Sequence, residues 1–393
     1  MVMAFLSRQT IGLDIGTRMV KAVQLKKKGK KNIELEKCGV AEIYPSGEKP
    51  PQTEQQRSAV TAAIRNALSQ AKITATNAVT AVAGESIIVR YIQLPEMPET
   101  ELKNALRWEA EEYIPFRVED VNIDSAVIGH SGEGEMRRMD VLLVCARKEL
   151  INDHVSLVRE AGLTPEVVDV DSFAFLNCYE LNYDTGPKDV VGLVNIGGDI
   201  TSISVYSGGT PKFSRDISIG GNTVTSSLQQ RLEVSFAEAE ALKIERGAPK
   251  GKKGGDDTAG GGEPDASSIM DTIRSTVEAM TGGEQGGISK TAQADRAIQN
   301  SLNSLIGEIR RSIQFFENQS RGLKVSRLVL GGGSAVLRGL DAYVQRELNL
   351  PVELIDPLQR IPVTGSDIDA GFIRDNKHML SVAIGLALRK VVD

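Results

Sequence analysis

The stretch Val329-Leu-Gly-Gly-Gly-Ser334 is a short apolar run that ends in three consecutive glycines. Two earlier segments have the same character, Leu13-Asp-Ile-Gly-Thr17 and Val194-Asn-Ile-Gly-Gly198. Each places small residues at a turn after a strand-like run, where a backbone can approach a ligand closely because no Cβ intervenes. Three such turns, far apart in the sequence, predict one pocket for a phosphate-bearing ligand.

The composition is that of an ordinary globular protein. The chain has 393 residues, of which 41% are hydrophobic and 25% are charged, enough for two domains or four subdomains. Its net charge is −6, and acidic and basic residues are interspersed along the chain. The lack of a basic excess argues against a nucleic-acid partner. Cys38, Cys145 and Cys178 form no close pair, and the histidines match no metal spacing, so neither a disulfide framework nor a zinc site is predicted.

The sequence offers no membrane anchor of its own. It has no run of 18 or more apolar residues, and the first six residues lack the length and the basic region of a signal peptide. The cysteine usage fits a reduced compartment. We therefore expect a cytoplasmic protein that reaches a membrane only through its partners.

The predicted elements divide the chain into two α/β halves. Residues 1–187 are predicted to form a first domain, into which a β-α-β-β-α unit at about 85–162 is inserted as a small α+β subdomain. The start of the second half repeats the first, because Gly12-Leu-Asp-Ile-Gly16 aligns with Leu193-Val-Asn-Ile-Gly197. This weak repeat predicts two domains on a shared β-β-β-α plan, facing each other across a cleft.

The second domain is predicted to span residues 188–376. Its helical part, about 222–318, is interrupted by a segment rich in Gly, Lys, Asp and Glu at about 247–287, whose composition predicts a flexible insertion. A helix is predicted at 335–348, after the glycine triplet. Residues 377–393 are expected to form a C-terminal helix that packs back on the core.

The first glycine turn carries the residues of a phosphate site. In Asp14-Ile-Gly-Thr-Arg-Met-Val-Lys21, the backbone N–H groups of Gly16 and Thr17, the hydroxyl of Thr17 and the ammonium of Lys21 can surround phosphate oxygens. Asp14 could hold Mg²⁺ through water, since Mg²⁺ keeps several waters. The alternative is a simple β-turn with charged flanks, and this spacing alone favours neither interpretation.

The second half supplies the remaining candidate residues. The triplet after Leu330 lacks the third glycine of a Rossmann fingerprint and the Gly-Lys-Ser/Thr of a Walker A loop, but it could let a base and sugar pass close to the backbone. Glu240 and Lys243 could reach ribose hydroxyls, or could equally form a solvated helix face. The candidate nucleotide-binding residues here are Asn195, Gly197, Gly198, Thr201, Gly221, Glu240, Lys243, Gly331, Gly332, Gly333 and Ser334.

Taken together, these spacings resemble the actin/Hsp70/sugar-kinase superfamily. Asp14-x-Gly-x-x-x-x-Lys21 resembles its first phosphate loop, and Asn195-x-Gly-x-x-x-Thr201 its second. Residues 329–334 resemble its adenosine motif and Ala239-Glu-Ala-Leu-Lys243 its ribose helix. Their order and separations fit nearly the whole chain, so we expect an actin-like (ribonuclease H-like) two-domain fold.

Within this superfamily the chain is similar to the PilM family of type IV pilus assembly proteins, relatives of the division protein FtsA. The likeness lies in Ile92-Gln-Leu-Pro-Glu-Met-Pro98 and Leu106-Arg-Trp-Glu-Ala-Glu-Glu-Tyr-Ile-Pro-Phe116, and in the insertion at about 85–162, where these families carry subdomain 1C. The resemblance implies ATP with Mg²⁺ bound between the domains. It also implies that the cytoplasmic N-terminal tail of the inner-membrane protein PilN binds in a groove near subdomains 1A and 1C.

The resemblance further implies a scaffold for pilus biogenesis and twitching motility, peripheral to the inner membrane. Its other candidate partners are PilO, PilC and the motor ATPase side of the machine. The second phosphate loop of the superfamily usually begins with Asp, which helps to order Mg²⁺ and the attacking water, whereas this chain has Asn195. We therefore expect binding with slow or absent hydrolysis, and no catalytic residue is assigned.

Two alternatives remain open from the sequence. One is a filament-forming FtsA-like protein, against which we note that the chain ends at Arg389-Lys-Val-Val-Asp393, directly after a core-like helix. The other is a sugar-kinase-type phosphotransferase, which needs a carboxylate base at the cleft. Filaments that sediment with ATP would favour the first alternative, and phosphorylation of small alcohols the second.

Overall fold

The computed structural model describes residues 9–29, 32–44, 53–132, 137–249, 289–320 and 322–391. The central part of the predicted flexible insertion, 250–287, lies outside these residues. The strands are β1 Thr10–Ile15, β2 Met19–Lys28, β3 Asn32–Glu42, β4 Asn77–Val82, β5 Ile87–Pro95, β6 Val121–Ser131, β7 Arg138–Arg147, β8 Thr164–Val170, β9 Val190–Ile196, β10 Thr201–Ser207, β11 Thr210–Ile217, β12 Arg327–Gly331 and β13 Val352–Leu354. The helices are α1 Thr53–Gln70, α2 Glu99–Tyr113, α3 Lys148–Glu160, α4 Asp171–Asn182, α5 Gly221–Leu232, α6 Phe236–Arg246, α7 Lys290–Gln319, α8 Leu340–Leu348, α9 Ala370–Asn376 and α10 Ser381–Leu388.

Two sheets share one topology. The first has the strand order β3-β2-β1-β4-β8, and the second has the order β11-β10-β9-β12-β13. In each sheet the first strand pairs antiparallel with the second and parallel with the fourth, as for β1 with β2 and β4, and for β9 with β10 and β12. The expected actin-like α/β architecture is therefore confirmed, with its two repeated halves.

A third, smaller sheet, with the order β5-β7-β6, is inserted between β4 and β8. Helix α2 covers it with Leu102, Leu106 and Ala110, which recur every four residues and so lie on one face. The helix ends at Tyr113, and the next residue, Ile114, has an extended backbone because a proline follows it. Residues of the inserted unit thus form their own hydrophobic core.

Helices α4 and α10 pack together between the two large sheets. Their side chains share one hydrophobic core with Val191, Leu193 and Val329 of the second sheet. Every residue of α10 is buried, which explains its continuous apolar sequence. A Cβ on Gly385 would overlap with the carbonyl of Ala174, so a glycine is required where the two helices meet.

Some predicted boundaries were wrong. The helix predicted at 335–348 begins only at Leu340, because Gly339 has a left-handed backbone with φ of 77° and the preceding residues form turns. The last helix begins at Ser381, after a 3₁₀ turn at Lys377–Leu380. Helix α9 was not predicted; the carboxylate of Asp369 caps it by accepting from the N–H of Gly371 at 2.8 Å.

The limits of the two domains stay a prediction, although the last strand of the first sheet ends at Val170 and the second sheet begins at Val190. In the part of the chain that the structure describes, no helix is both long enough and apolar enough to cross a bilayer.

Candidate functional site

The first glycine turn joins β1 to β2 and holds a buried ion pair. Asp14 and Lys21 are directly opposite each other on these antiparallel strands, so their side chains lie on one face of the sheet. The Lys21 ammonium lies 3.0 Å from the Asp14 carboxylate, and both residues are at most 9% exposed. The turn itself closes through a 3.0 Å hydrogen bond from the N–H of Gly16 to the carbonyl of Met19. The fold thus fixes a charged pair beneath the turn.

The second glycine turn, between β9 and β10, lies against the first. A Cβ on Gly198 would overlap with the Oγ1 of Thr17, so the two turns touch across the cleft between the large sheets. Within the described part of the chain, this Oγ1 is buried and has no hydrogen-bond partner. A buried hydroxyl left unpaired costs free energy, and a phosphate oxygen is an acceptor that would relieve this cost.

The carbonyls of this second turn hold the start of α5. The N–H of Gly221 donates to the carbonyl of Gly197 at 3.0 Å, and the N–H of Asn222 donates to the carbonyl of Gly198 at 2.7 Å. Such close approach of two backbones requires Gly220, whose Cβ would overlap with the Gly198 carbonyl. These first amides of α5 are therefore bonded within the protein.

The glycine triplet after β12 has three different roles. Gly331 packs against the ring of Phe175, whereas Gly332 has a φ of 90°, and a Cβ at that position would lie only 2.5 Å from the carbonyl of Ile196. A Cβ on Gly333 would meet nothing closer than Met379 at 3.9 Å, so this position is open. Ser334 Oγ donates to the carbonyl of Gly197 at 2.8 Å. The triplet is thus fastened to the second turn and leaves one open glycine.

Helix α6 supplies a buried network beside the triplet. The Lys243 ammonium donates to Glu240 Oε2 at 2.7 Å, to Thr225 Oγ1 at 3.0 Å and to the carbonyl of Gly221 at 3.2 Å. Burial lowers the pKa of Lys243, and the carboxylate of Glu240 opposes this change. Glu240 and Lys243 are therefore not a freely solvated helix face, and their side chains are held in fixed positions.

A cavity of about 290 Å³ opens at this network. Its polar wall combines residues from the predicted site: Gly221, Glu240, Lys243, Gly333 and Ser334. Its apolar wall includes Leu302 and Leu305 of α7, and also Ile244 and Val336, which are 62% and 44% exposed. A slot with apolar sides and a few fixed polar groups suits a planar base with an attached sugar.

Two residues that were predicted to contact the nucleotide, Thr201 and Asn195, make contacts within the protein instead. The Thr201 residue is fully buried, and its hydroxyl donates to the carbonyl of Ile219 at 2.7 Å. In this conformation the hydroxyl stabilises the fold. The Asn195 side chain lies against Gly332, with Oδ1 only 2.6 Å from where a Cβ would be. Their predicted contacts with a nucleotide stay predictions.

An acidic residue that sequence reasoning missed lies in the same cleft. Asp171 begins α4, directly after β8, and its pKa is raised well above the usual range by burial and by the nearby charges of Asp14 and Asp216. The ends of parallel strands β1, β4 and β8 meet at one edge of the sheet, so an Asp just after β8 was the available signal.

His154 of α3 is linked to β1, the strand before the first turn, through the hydroxyl of Thr80. Thr80 Oγ1 donates to the carbonyl of Leu13 at 2.9 Å and lies 2.7 Å from His154 Nε2. Because the hydroxyl proton is already donated, Nε2 carries the proton in this contact. Burial lowers the pKa of His154 to about 4, so the imidazole is neutral at physiological pH.

The donor set fits nucleotide better than free metal. Among the described residues, no group of three or more His, Cys, Asp or Glu side chains is placed to hold a metal ion. Asp14 is already paired with Lys21. For Mg²⁺ bound together with phosphate ligands, Asp14 would be the candidate protein contact, through water.

The fold and the three converging glycine turns define a protein of the actin-like ATPase superfamily. The family model described as "Type IV pilus assembly protein PilM" matches residues 12–254, which is more than half of the chain. The chain belongs to this family, as the sequence motifs predicted. A second family model, described as "Cell division protein FtsA", matches residues 192–385.

The chain is also similar to a solved structure and to curated sequences. The structure is similar to the solved "PilM-PilN type IV pilus biogenesis complex", with a TM-score of 0.75 and 27% identity, covering 98% of this chain and 99% of that chain. Cell division protein FtsA of Helicobacter pylori strain J99 is 25% identical over 267 residues, covering 64% of this chain and 48% of FtsA. FtsA of Escherichia coli K12 is 26% identical over 234 residues, covering 57% of this chain and 50% of that FtsA. The chain spans about half the length of these curated relatives.

Proposed function

We propose that this chain is an ATP-binding scaffold of type IV pilus assembly that holds the cytoplasmic tail of PilN and links the membrane complex to the motor. The observation that carries the proposal is the match along almost the whole chain to the PilM-PilN complex. The nucleotide site would be the cavity beside Glu240 and Lys243 together with the two turns that meet at Thr17 and Gly198. Mg²⁺ bound with the phosphates would neutralise their charge.

We place the PilN tail in a groove of about 370 Å³ between β8 and the inserted subdomain. Strand β8 lies at the edge of its sheet among the strands that the structure describes, so an extended peptide could bond along it. The walls include Leu142 and Val144 of β7 and Phe173 of α4, which suit apolar side chains. Asp169 and Arg389, 3.2 Å apart in the same groove, could recognise charged or polar groups.

Peptide binding tests this placement. A fluorescent peptide of the cytoplasmic N-terminal segment of the cognate PilN is titrated with the purified full chain, and anisotropy is measured. Ala126→Arg, which inserts a long cation at the exposed groove wall, is expected to weaken binding at least tenfold. Val127→Arg is the matched control, since Val127 is the neighbouring exposed residue of β6 and does not line the groove. Equal binding by the two variants would refute the groove.

The same titration tests whether nucleotide binding changes the affinity for the peptide. If nucleotide closes the cleft and closure alters the groove, then Mg-ATP changes the affinity for the peptide, and Asp14→Ala abolishes that change. Equal affinity with and without Mg-ATP, together with an unaffected Asp14→Ala variant, would refute a nucleotide-gated scaffold. Because Asn195 supplies no carboxylate, we expect bound ATP to be recovered mostly intact after desalting.

An FtsA-like filament is the second candidate, favoured by the match of residues 192–385 to the FtsA family. Sedimentation and negative-stain microscopy with Mg-ATP separate the two proposals. A scaffold is expected to stay in the supernatant at concentrations at which it binds the PilN peptide. Regular filaments that require ATP would favour the filament-forming function.

A further inference from the structure

Two hydrogen bonds join the second sheet to the start of the inserted subdomain. The carboxylate of Asp216, in β11, accepts from the N–H of Gly84 through Oδ2 at 2.7 Å. Two residues further on, Ser218 Oγ donates to Glu85 Oε1 at 2.9 Å. Gly84 and Glu85 lie between β4 of the first sheet and β5, the first strand of the inserted unit. The end of β11 is therefore bonded to the segment that leads into the inserted subdomain.

Asp216 makes the stronger of these two bonds. Both bonds have a carboxylate acceptor, but the bond to Asp216 is partly buried and the bond to Glu85 is exposed. A charge-assisted bond is stronger where water is excluded, because the local dielectric is lower. Burial raises the pKa of Asp216, whereas the N–H of Gly84 opposes this change by favouring the ionised form. The Asp216–Gly84 bond is therefore the main contact between β11 and this segment.

The same contact lies against the second glycine turn. Asp216 is directly opposite Ser202 of β10, the strand that follows this turn. Gly84 has a positive φ of 116°, and a Cβ at this position would lie 3.3 Å from Cδ1 of Ile200. The carbonyl of Ile200 closes the turn by accepting from the N–H of Gly197 at 2.9 Å. A displacement of the turn thus reaches Gly84 both through Ile200 and through Asp216.

The segment around Gly84 also adjoins the proposed peptide groove. Val82, the last residue of β4, lines this groove and is two residues before Gly84. After Gly84, β5 pairs with β7, and Val89 lies opposite Val144 of the groove wall. Because hydrogen-bonded strands move together, a shift at Gly84 changes how the two groove walls are placed. Asp216 therefore connects the nucleotide cleft to the groove, although it lines neither the cavity nor the groove.

We propose that Asp216 is a positioning residue that couples the two sites: by holding Gly84, it makes the inserted subdomain follow the second domain when nucleotide closes the cleft. This inference rests on the proposed function and names the contact through which nucleotide alters peptide binding. The two glycine turns touch in this structure, so the Asp216–Gly84 bond and the closed cleft occur together. Coupling between two binding sites is reciprocal, so the peptide must change the affinity for ATP by the same factor.

The ratio of peptide affinities with and without Mg-ATP measures this coupling. The fluorescent PilN peptide is titrated with the full chain by anisotropy, and ATP binding is measured by calorimetry with and without the peptide. In the wild type we expect Mg-ATP to change the peptide Kd by about fivefold or more. In Asp216→Ala the ratio is expected to fall to within about twofold of one. ATP alone should still bind within about threefold of the wild-type affinity, because Asp216 does not line the cavity.

Two further variants test whether the effect is specific. Asp189→Ala is the matched control, because Asp189 also accepts from a glycine N–H, that of Gly186 at 2.9 Å, only three residues away in the chain. It should keep the wild-type ratio. Asp216→Asn keeps an acceptor oxygen but loses the charge, so it is expected to retain part of the coupling. Circular dichroism and thermal unfolding verify that each variant is folded.

Hydrogen exchange gives a readout in the wild type that needs no substitution. If closure of the cleft tightens the Asp216–Gly84 bond, Mg-ATP slows exchange in the proteolytic segment that contains the N–H of Gly84. Mass spectrometry measures this protection in the wild type and in Asp216→Ala, where it should be lost. Unchanged exchange of this segment in a wild-type chain that binds ATP would overturn the inference.

The outcomes separate this inference from the function on which it rests. An Asp216→Ala variant that keeps the full wild-type ratio would overturn the inference alone. Loss of ATP binding or of peptide binding as such in this variant would also overturn it, since a positioning residue changes the coupling and not each separate site. A wild-type chain that binds both ligands with a ratio of one would overturn nucleotide gating together with this inference. A wild-type chain that fails to bind ATP or the peptide would overturn the proposed function as well.

Discussion

Ser334 Oγ donates a 2.8 Å hydrogen bond to the carbonyl of Gly197, and this bond joins the glycine triplet to the second phosphate turn. The backbone N–H of Ser334 adds a second link, to the carbonyl of Ile196 at 3.0 Å. Two turns that are separated by more than a hundred residues therefore form one rigid wall of the cavity before any ligand arrives. Such preorganisation reduces the ordering that binding must otherwise supply.

The first prediction concerns this bond. Ser334→Ala removes the hydroxyl and leaves the Gly197 carbonyl with one partner fewer, so we expect a loss of about 1 kcal/mol in the free energy of unfolding. We also expect ATP to bind severalfold more weakly. Urea unfolding and calorimetric titration measure the two effects. Ser304→Ala, which removes an exposed hydroxyl that bonds only along α7, is the control and should change neither.

The second prediction concerns the helix between the sheets. Gly385→Ala in α10 is expected to destabilise the protein by about 3 kcal/mol, because the added methyl would overlap with the Ala174 carbonyl of α4. The matched control is Gly307→Ala in α7, where a Cβ would meet only the end of the Arg311 side chain at 3.8 Å. Since alanine has a higher helix propensity than glycine, that change should raise the free energy of unfolding by about 0.5–1 kcal/mol. Equal effects of the two changes would contradict the packing of α10 on α4.

The third prediction concerns acid. The pKa of His154 is lowered to about 4 in the folded protein, from an ordinary value near 6.5. A depressed pKa means that the unfolded chain takes up the proton first, so the stability that is present above pH 6.5 is lost as the pH falls towards 4. Below the folded-state pKa, the free energy of unfolding is expected to be about 3 kcal/mol lower than at neutral pH.

Urea unfolding between pH 8 and pH 4 measures this loss. In His154→Gln the part of the pH dependence that belongs to the imidazole should disappear. Thr80→Ser keeps the hydroxyl that lies 2.7 Å from Nε2 and should therefore retain the wild-type slope. If His154→Gln and the wild type show the same slope through this window, His154 does not titrate as the structure requires.

The fourth prediction concerns Asp171, whose pKa is raised mainly by burial and then by Asp14 and Asp216. An acid with a raised pKa stabilises the folded state only while it is protonated, and that stability is lost as the pH rises through the folded-state pKa. Asp171→Asn is therefore expected to raise the Tm at pH 8 by roughly 1–3 °C, with a smaller gain under acidic conditions. Differential scanning calorimetry measures both.

The control for this prediction is Asp184→Asn. Its side chain is 89% exposed and pairs with Arg360 on the surface, where an ion pair contributes little to stability. We expect no measurable change in Tm. A fall in the Tm of Asp171→Asn at pH 8 would show that the ionised carboxylate is stabilised by its surroundings, against the direction of the pKa shift that burial produces.

The sequence by itself determined the architecture and identified the three glycine turns that the structure brings together. Apolar runs that end in glycine turns are local signals, and the repeat of Gly12–Gly16 at Leu193–Gly197 was enough to indicate two halves with one topology. Such features depend on the residue types of a few neighbours along the chain, so they can be inferred without knowing what packs against them.

Only the tertiary structure decided what each side chain does within the site. Thr201 belongs to the second turn in sequence, yet its hydroxyl bonds to Ile219, and Gly331 packs on Phe175 while its neighbour Gly333 is open. Asp171, and the contact of Arg18 with Phe236, join segments that are distant in the chain. These outcomes depend on which elements meet across the cleft and on the rotation of each side chain, which long-range packing sets and local patterns do not contain.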